Sequence, residues 1–170
     1  MRPDLNRVPE FYHNYINQVK EDDLATAFAN QTPALMNFLE SIPKEKYDYA
    51  YAAGKWTIKE VLQHLIDGER IFGYRVLRIS RGDETPIEGF EQDGYIENSN
   101  ANNRCFADLL DEFDLQRRAN LHLLKNISDK GSRRLGTASE KRISVRALAY
   151  IMAGHVEHHI GILNDRYLAE

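Results

Sequence analysis

His155 and His159 fall four residues apart in a segment whose apolar residues repeat with helical spacing. At about 100° per residue, both lie in the middle of the stripe formed by Leu148, Met152, Val156 and Leu163, so both rings can aim at one spot. His158 falls at the edge of that stripe. A third ring, His64, sits on the shoulder of another apolar stripe, beside Val61, Leu65 and Gly68. Gly68 is expected to leave open space next to it. An imidazole left unsatisfied in a core costs roughly 1–3 kcal/mol. Each ring therefore finds a hydrogen-bond partner or binds a metal, and the spacing leaves both open. Three converging neutral imidazoles suit zinc, nickel, iron or copper rather than magnesium or calcium. With no fourth protein ligand in evidence, one coordination position stays open for water or substrate, which is the catalytic rather than the structural pattern for zinc. Free histidine titrates near about 6.5, so metal affinity is expected to fall as pH drops through about 6.

Other polar residues compete for attention. The H-E-x-x-H order is absent: in His155-Val156-Glu157-His158-His159 the glutamate falls on the opposite face and reads as a solvated surface acid. Asp67 points to solvent on the same reckoning. His122 and His13 read as surface residues. Glu69 and Arg117 each fall in the centre of an apolar stripe, where a lone charge is not tolerated. The simplest solution pairs them; the alternative makes Glu69 an acceptor for a ligand histidine N–H. Trp56 reads as a core anchor at a helix end rather than a binding aromatic.

Four amphipathic segments must position these groups, and no segment alternates as a strand. The first runs from about residue 21 to 42, with Pro33 either kinking it or splitting it. The second opens on Thr57-Ile58-Lys59-Glu60, a capping box, and stops at Gly82-Asp83. A long loop, 83–103, follows, and its length points to function. The third segment spans about 104–127, with a polar loop over 128–142 behind it. The fourth begins at the N-cap Ser144 and reaches about 168. The pattern predicts an all-α protein, a four-helix bundle with long connections. Residues 1–20 form an N-terminal arm carrying Phe11, Tyr12, Tyr15 and Ile16, and 1–170 read as one domain.

The chain has 170 residues, 22 basic and 26 acidic, for a formal net charge of −4. That balance lacks the basic footprint of a nucleic-acid binder. The one cysteine, Cys105, forbids an internal disulfide and a Cys-based zinc site. It also points to a reducing, cytoplasmic setting. No apolar stretch suggests a signal peptide at the start or a membrane span elsewhere.

Gly54-Lys55-Trp56-Thr57-Ile58-Lys59-Glu60, then His64-Leu65-Ile66-Asp67-Gly68-Glu69-Arg70, then Gly154-His155 through His158-His159, resemble the DinB / YfiT-like superfamily of metalloenzymes. The resemblance extends from about Tyr47 to Tyr167 and includes Gly89-Phe90-Glu91-Gln92-Asp93-Gly94-Tyr95. It implies a four-helix bundle in which one histidine of the second helix and an H-x-x-x-H of the last bind a divalent metal. Those positions match His64, His155 and His159. Zinc or nickel heads the resulting expectation, with iron behind. The resemblance further implies a homodimer and a small-molecule substrate. Some branches are similar to thiol-dependent transferases that use low-molecular-weight thiols, and others are damage-inducible proteins with no assigned activity. The residues fix no reaction, no catalytic base and no organic cofactor. They leave open a metal-dependent transferase or hydrolase, a non-catalytic stress-response module with a structural metal, and core histidines that bind no metal.

Overall fold

A computed structural model describes residues 2–169. Four long helices carry the architecture: α2 (Leu24–Glu40), α3 (Ile58–Ser80), α5 (Phe106–Lys125) and α7 (Val145–Ile162). Helix α3 packs against α5 and α7, and the short α1 (His13–Gln18) of the N-terminal arm packs along α7. The capping box forms as the sequence predicts. Thr57 Oγ1 accepts from the Glu60 amide at 3.2 Å, and Glu60 Oε2 accepts from the Thr57 amide at 2.7 Å. Both orphan donors are thereby satisfied. Ser144 caps α7 through the Ala147 amide at 3.1 Å. Pro33 lies inside a continuous α2 and does not split it.

Two expectations need correction. Residues 83–103 are not a plain loop: they contain the short helix α4 (Gln92–Glu97) and a single 3-10 turn, Ala101–Asn103. The 128–142 segment is not irregular either. It holds the short helix α6 (Asp129–Ser132) and a hairpin of β1 (Leu135–Ala138) with β2 (Lys141–Ser144), paired from Leu135↔Ser144 to Ala138↔Lys141. Its two-residue turn, Ser139-Glu140, holds both residues in the left-handed region at φ 49° and 62°. That is the backbone a tight hairpin demands, built here without the usual Gly or Asn. Helix α7 passes into a π-helical turn over Leu163–Leu168.

The core falls into two apolar clusters stacked along the bundle. One takes Phe72, Val76 and Ile79 of α3 with Val145, Leu148, Ile151 and Met152 of α7, and receives Val8, Tyr12 and Ile16 from the arm. The other takes Ile58, Val61, Leu62, Leu65 and Ile66 of α3 with Phe106, Leu109 and Phe113 of α5 and Val156, Leu163 and Tyr167. The arm comes very close to α7. A Cβ built at Gly154 would lie 1.9 Å from the Tyr15 carbonyl oxygen, so only glycine admits that crossing.

A polar layer crosses the bundle at mid-helix positions between the clusters. Arg117 Nη2 donates to Glu69 Oε1 at 2.6 Å, and both side chains are buried. The sequence-predicted pair therefore forms. Asn120 donates to Glu69 Oε2 at 2.8 Å, and Arg117 Nη1 donates to Gln31 Oε1 at 2.8 Å. Gln31 in turn donates to the Ala153 carbonyl at 2.8 Å and to Glu157 Oε1 at 2.7 Å. The Arg117 guanidinium also lies 4.9 Å from the Phe28 ring and 5.2 Å from the Phe113 ring. Glu157 is thus half-buried and hydrogen-bonded, a correction to its reading as a solvated acid. This layer ties α2, α3 and α5 to the turn of α7 that carries His155.

Candidate metal centre

Helical spacing on α7 stacks His155 and His159 one turn apart, and α3 brings His64 across to them. Each of the three offers one ring nitrogen such that all three atoms lie within 4.8 Å of one another. Ring centroids are 4.8 Å apart for His64 and His155, 4.8 Å for His64 and His159, and 4.7 Å for His155 and His159. His64 Nε2 and His155 Nε2 meet at 2.9 Å. In a tetrahedral zinc site with bonds of about 2.0–2.1 Å, donor nitrogens sit about 3.3 Å apart, a spacing that falls between this 2.9 Å contact and the 4.8 Å limit of the cluster.

His159 Nδ1 is buried and has no hydrogen-bond partner among the described residues, which is costly for a ring nitrogen. No carboxylate or thiol joins the cluster among the described residues. The donor set is therefore three imidazoles, which matches the softer divalent transition metals.

Burial dominates the electrostatics. It pushes His64 down to about 4, with the nearby His158 adding to the effect. His159 is pushed down to about 2 by burial, then by His64 and His158. His155 is held well below its ordinary value, first by burial and then by His159 and His64. All three rings thus stay neutral across the physiological range, as metal ligation requires. The pH window expected from free histidine moves down accordingly. In the folded protein, protons do not compete for His64 until about pH 4.

Neighbours set the ring positions. Gly68 lines an open cavity together with His64, as expected, and has a second role. It admits His155: a Cβ there would lie 2.9 Å from His155 Cε1 and 3.1 Å from His155 Nδ1. Phe72 and Tyr15 meet the His155 ring edge-on at 5.5 Å and 5.8 Å. His158 stays outside the cluster. It lies against Tyr15 at 5.3 Å and within 3.5 Å of the Gln18 amide. His122 is exposed. His13 is not a free surface residue, because its Nε2 lies 3.0 Å from the Leu5 carbonyl and 2.8 Å from that of Val8, closing the arm on itself. Asp67 is half-buried rather than solvated. It accepts from Gln63 Nε2 at 3.0 Å, and burial raises its carboxyl pKa.

Two cavities flank the histidines. One of about 650 Å³ is lined by His159, Trp56, Asp93 and Tyr167. Trp56 packs its ring on His64 at 4.8 Å, so the tryptophan is both an anchor and a cavity wall. The other, of about 410 Å³, is lined by His64, His155, Phe72 and Arg75. Gln92, at the start of α4, borders both. Sequence reasoning missed α4 and Arg75 as parts of the site. Arg75 follows His64 by eleven residues, three helical turns, and so shares its shoulder of α3; that spacing was the available signal.

The model of the DinB superfamily matches residues 27–163. The structure is similar to that of YfiT from Bacillus subtilis, described as a probable metal-dependent hydrolase with an unusual four-helix bundle topology. The TM-score is 0.72 at 18% identity, covering 97% of this chain and 90% of that one. At that identity the likeness speaks for the fold. No curated protein matches the chain. Among the described residues, no helix is long and apolar enough to cross a membrane.

Proposed function

The chain belongs to the DinB superfamily, and from that premise we propose that it is a metal-dependent enzyme, a hydrolase or thiol-using transferase, acting on a small molecule. His64, His155 and His159 are its metal ligands. The observation that carries the reading is the convergence of three neutral imidazoles, one ring nitrogen from each within 4.8 Å of the others, beside a cavity. A divalent ion held there, zinc or nickel first and iron next, supplies a Lewis acid that lowers the pKa of a bound water or thiol.

The chain's own residues do the rest. The three rings stay neutral and keep their lone pairs for ligation because they are buried. Gly68 lets the His155 ring seat, and the Glu69–Arg117–Gln31 layer fixes the turn of α7 behind it. Trp56 and Phe72 each give one cavity an apolar wall. His64 and His155 border one cavity and His159 the other, so a small electrophile can approach the rings.

The likeness to a protein described as a metal-dependent hydrolase favours water as the nucleophile. A low-molecular-weight thiol is the other candidate. The setting that fits is a reducing cytoplasm, where the exposed Cys105 stays a free thiol. The assembly that fits is a homodimer, and light scattering giving a monomer mass at working concentration contradicts it. The test of function offers the metal-loaded protein a panel of activated esters, and of thiols with electrophiles, beside the His155→Ala variant. Turnover in the wild type alone supports the reading. Equal rates in both proteins, or none in either with the metal bound, contradict it and leave a structural metal.

A further inference from the structure

Arg75 is buried at 2% exposure, yet no carboxylate pairs with it among the described residues. Its Nη2 donates to Ser139 Oγ at 2.8 Å and reaches the Glu88 carbonyl at 3.3 Å, and its guanidinium lies 6.0 Å from the Phe90 ring and beside the Tyr12 side chain; none of these is a carboxylate. Its Nε is buried with no partner at all. A guanidinium carries five N–H donors and no acceptor. Taking it out of water without a counter-charge is costly. The contrast lies one helix away. Arg117 is equally buried, but it has Glu69 at 2.6 Å.

The cavity explains the difference. Arg75 lines the cavity of about 410 Å³ that His64 and His155 also border. Lys141 stands on the same lining, so two of its groups are cationic. The one acid there, Glu91, is committed elsewhere, accepting from the Gly94 amide at 2.9 Å as the N-cap of α4. Ser139, which holds the guanidinium, sits in the left-handed hairpin turn at φ 49°. A non-glycine residue in that region is strained.

We propose that Arg75 binds an anionic group, a carboxylate or a phosphate, of the small molecule whose reacting end lies at the histidine cluster. This rests on the metal reading above only for which end reacts; the anion site stands on Arg75 itself. The separation follows from the helix. The His155 ring lies over Gly68, and Arg75 is two turns further along α3, about 10.5 Å of rise. Helical side chains lean toward the N-terminus, which brings the guanidinium back toward the rings. The substrate is thus a compact anion whose scissile or electrophilic centre lies within about 10 Å of its charge. Phe72, between the two ends on the cavity wall, faces its apolar middle.

The test titrates the wild-type protein with succinate, inorganic phosphate and the neutral succinamide, in chelator-treated and metal-loaded form. The reporter is the Arg75 Nε–Hε NMR signal, assigned through its own backbone, which requires no variant. A saturable shift with succinate or phosphate, and none with succinamide, is expected in both forms. Succinate alone identifies a carboxylate, and phosphate alone a phosphate. Arg75→Gln is expected to weaken the binding roughly tenfold or more, the loss of a charge-assisted contact, with metal stoichiometry unchanged. His155→Ala is expected to lose the metal and keep the anion. No saturable shift with either anion, an equal shift with succinamide, or unchanged affinity in Arg75→Gln overturns the anion site and leaves the metal reading intact. Anion binding in a protein that takes up no metal upholds Arg75 and removes the metal reading.

Discussion

Replacing Arg117 by methionine removes the cation that Glu69 meets at 2.6 Å. The surviving carboxylate is 2% exposed and keeps only the Asn120 side-chain donor. Breaking one side of a buried pair costs roughly 3–5 kcal/mol because the other charge stays buried. For a chain of this length that corresponds to a fall in Tm of roughly 6–20 °C. Glu69→Leu is expected to cost a similar amount, since it leaves Arg117 fully enclosed among Phe28, Phe113 and Gln31. The double variant is expected to recover most of one penalty but not all. Gln31 Oε1 then loses its donor, and an orphaned buried acceptor costs roughly 1–3 kcal/mol. The assay is urea unfolding of the chelator-treated proteins, so that metal linkage does not enter, with unchanged m-values as the check on two-state behaviour. A coupling energy of roughly 2 kcal/mol or more is expected. Single effects that add in the double variant to within about 0.5 kcal/mol would refute the reasoning, because groups in contact do not behave independently.

Two further outcomes follow from the geometry. Gly68→Ala places a methyl 2.9 Å from His155 Cε1 and must push that ring aside. Metal affinity is expected to fall about tenfold or more, read by competition with a chromophoric chelator; unchanged affinity contradicts the assigned ring position. The metal-free protein is expected to lose stability on acidification. His64 and His155 titrate below their ordinary value of 6.5 when folded, so the unfolded chain takes up protons first. The stability they confer is whole above about pH 6.5 and lost as pH falls. Between pH 7 and 5 His64 alone forfeits about 2 kcal/mol, and His155 adds to the loss in the same direction. Chemical denaturation at both pH values checks this, and a flat profile contradicts it.

The sequence made the histidine cluster visible for a physical reason. Imidazoles and opposite charges stood where helical period demands apolar side chains, so His64, His155, His159, Glu69 and Arg117 stood out. The long helices were legible from their stripes and from the Thr57 capping box. The hairpin was not. Its strands are four residues each, too short to show alternation, and its Ser139-Glu140 turn carries no Gly or Asn signal. Helix α4 is hidden by its length of six residues. Glu157 was misread, and the second role of Gly68 was hidden, because both depend on neighbouring helices: Gln31 on α2 for the first, His155 on α7 for the second. Periodicity on one helix does not report what the next one brings to it.

The central claim is that His64, His155 and His159 hold a transition metal. Elemental analysis of the protein, purified without a histidine tag or added metal, tests it most directly when run beside alanine variants of all three residues and of His122. A stoichiometric transition metal is expected in the wild type and in His122→Ala, and its loss in each of the other three. Wild-type metal content in His155→Ala would contradict the claim.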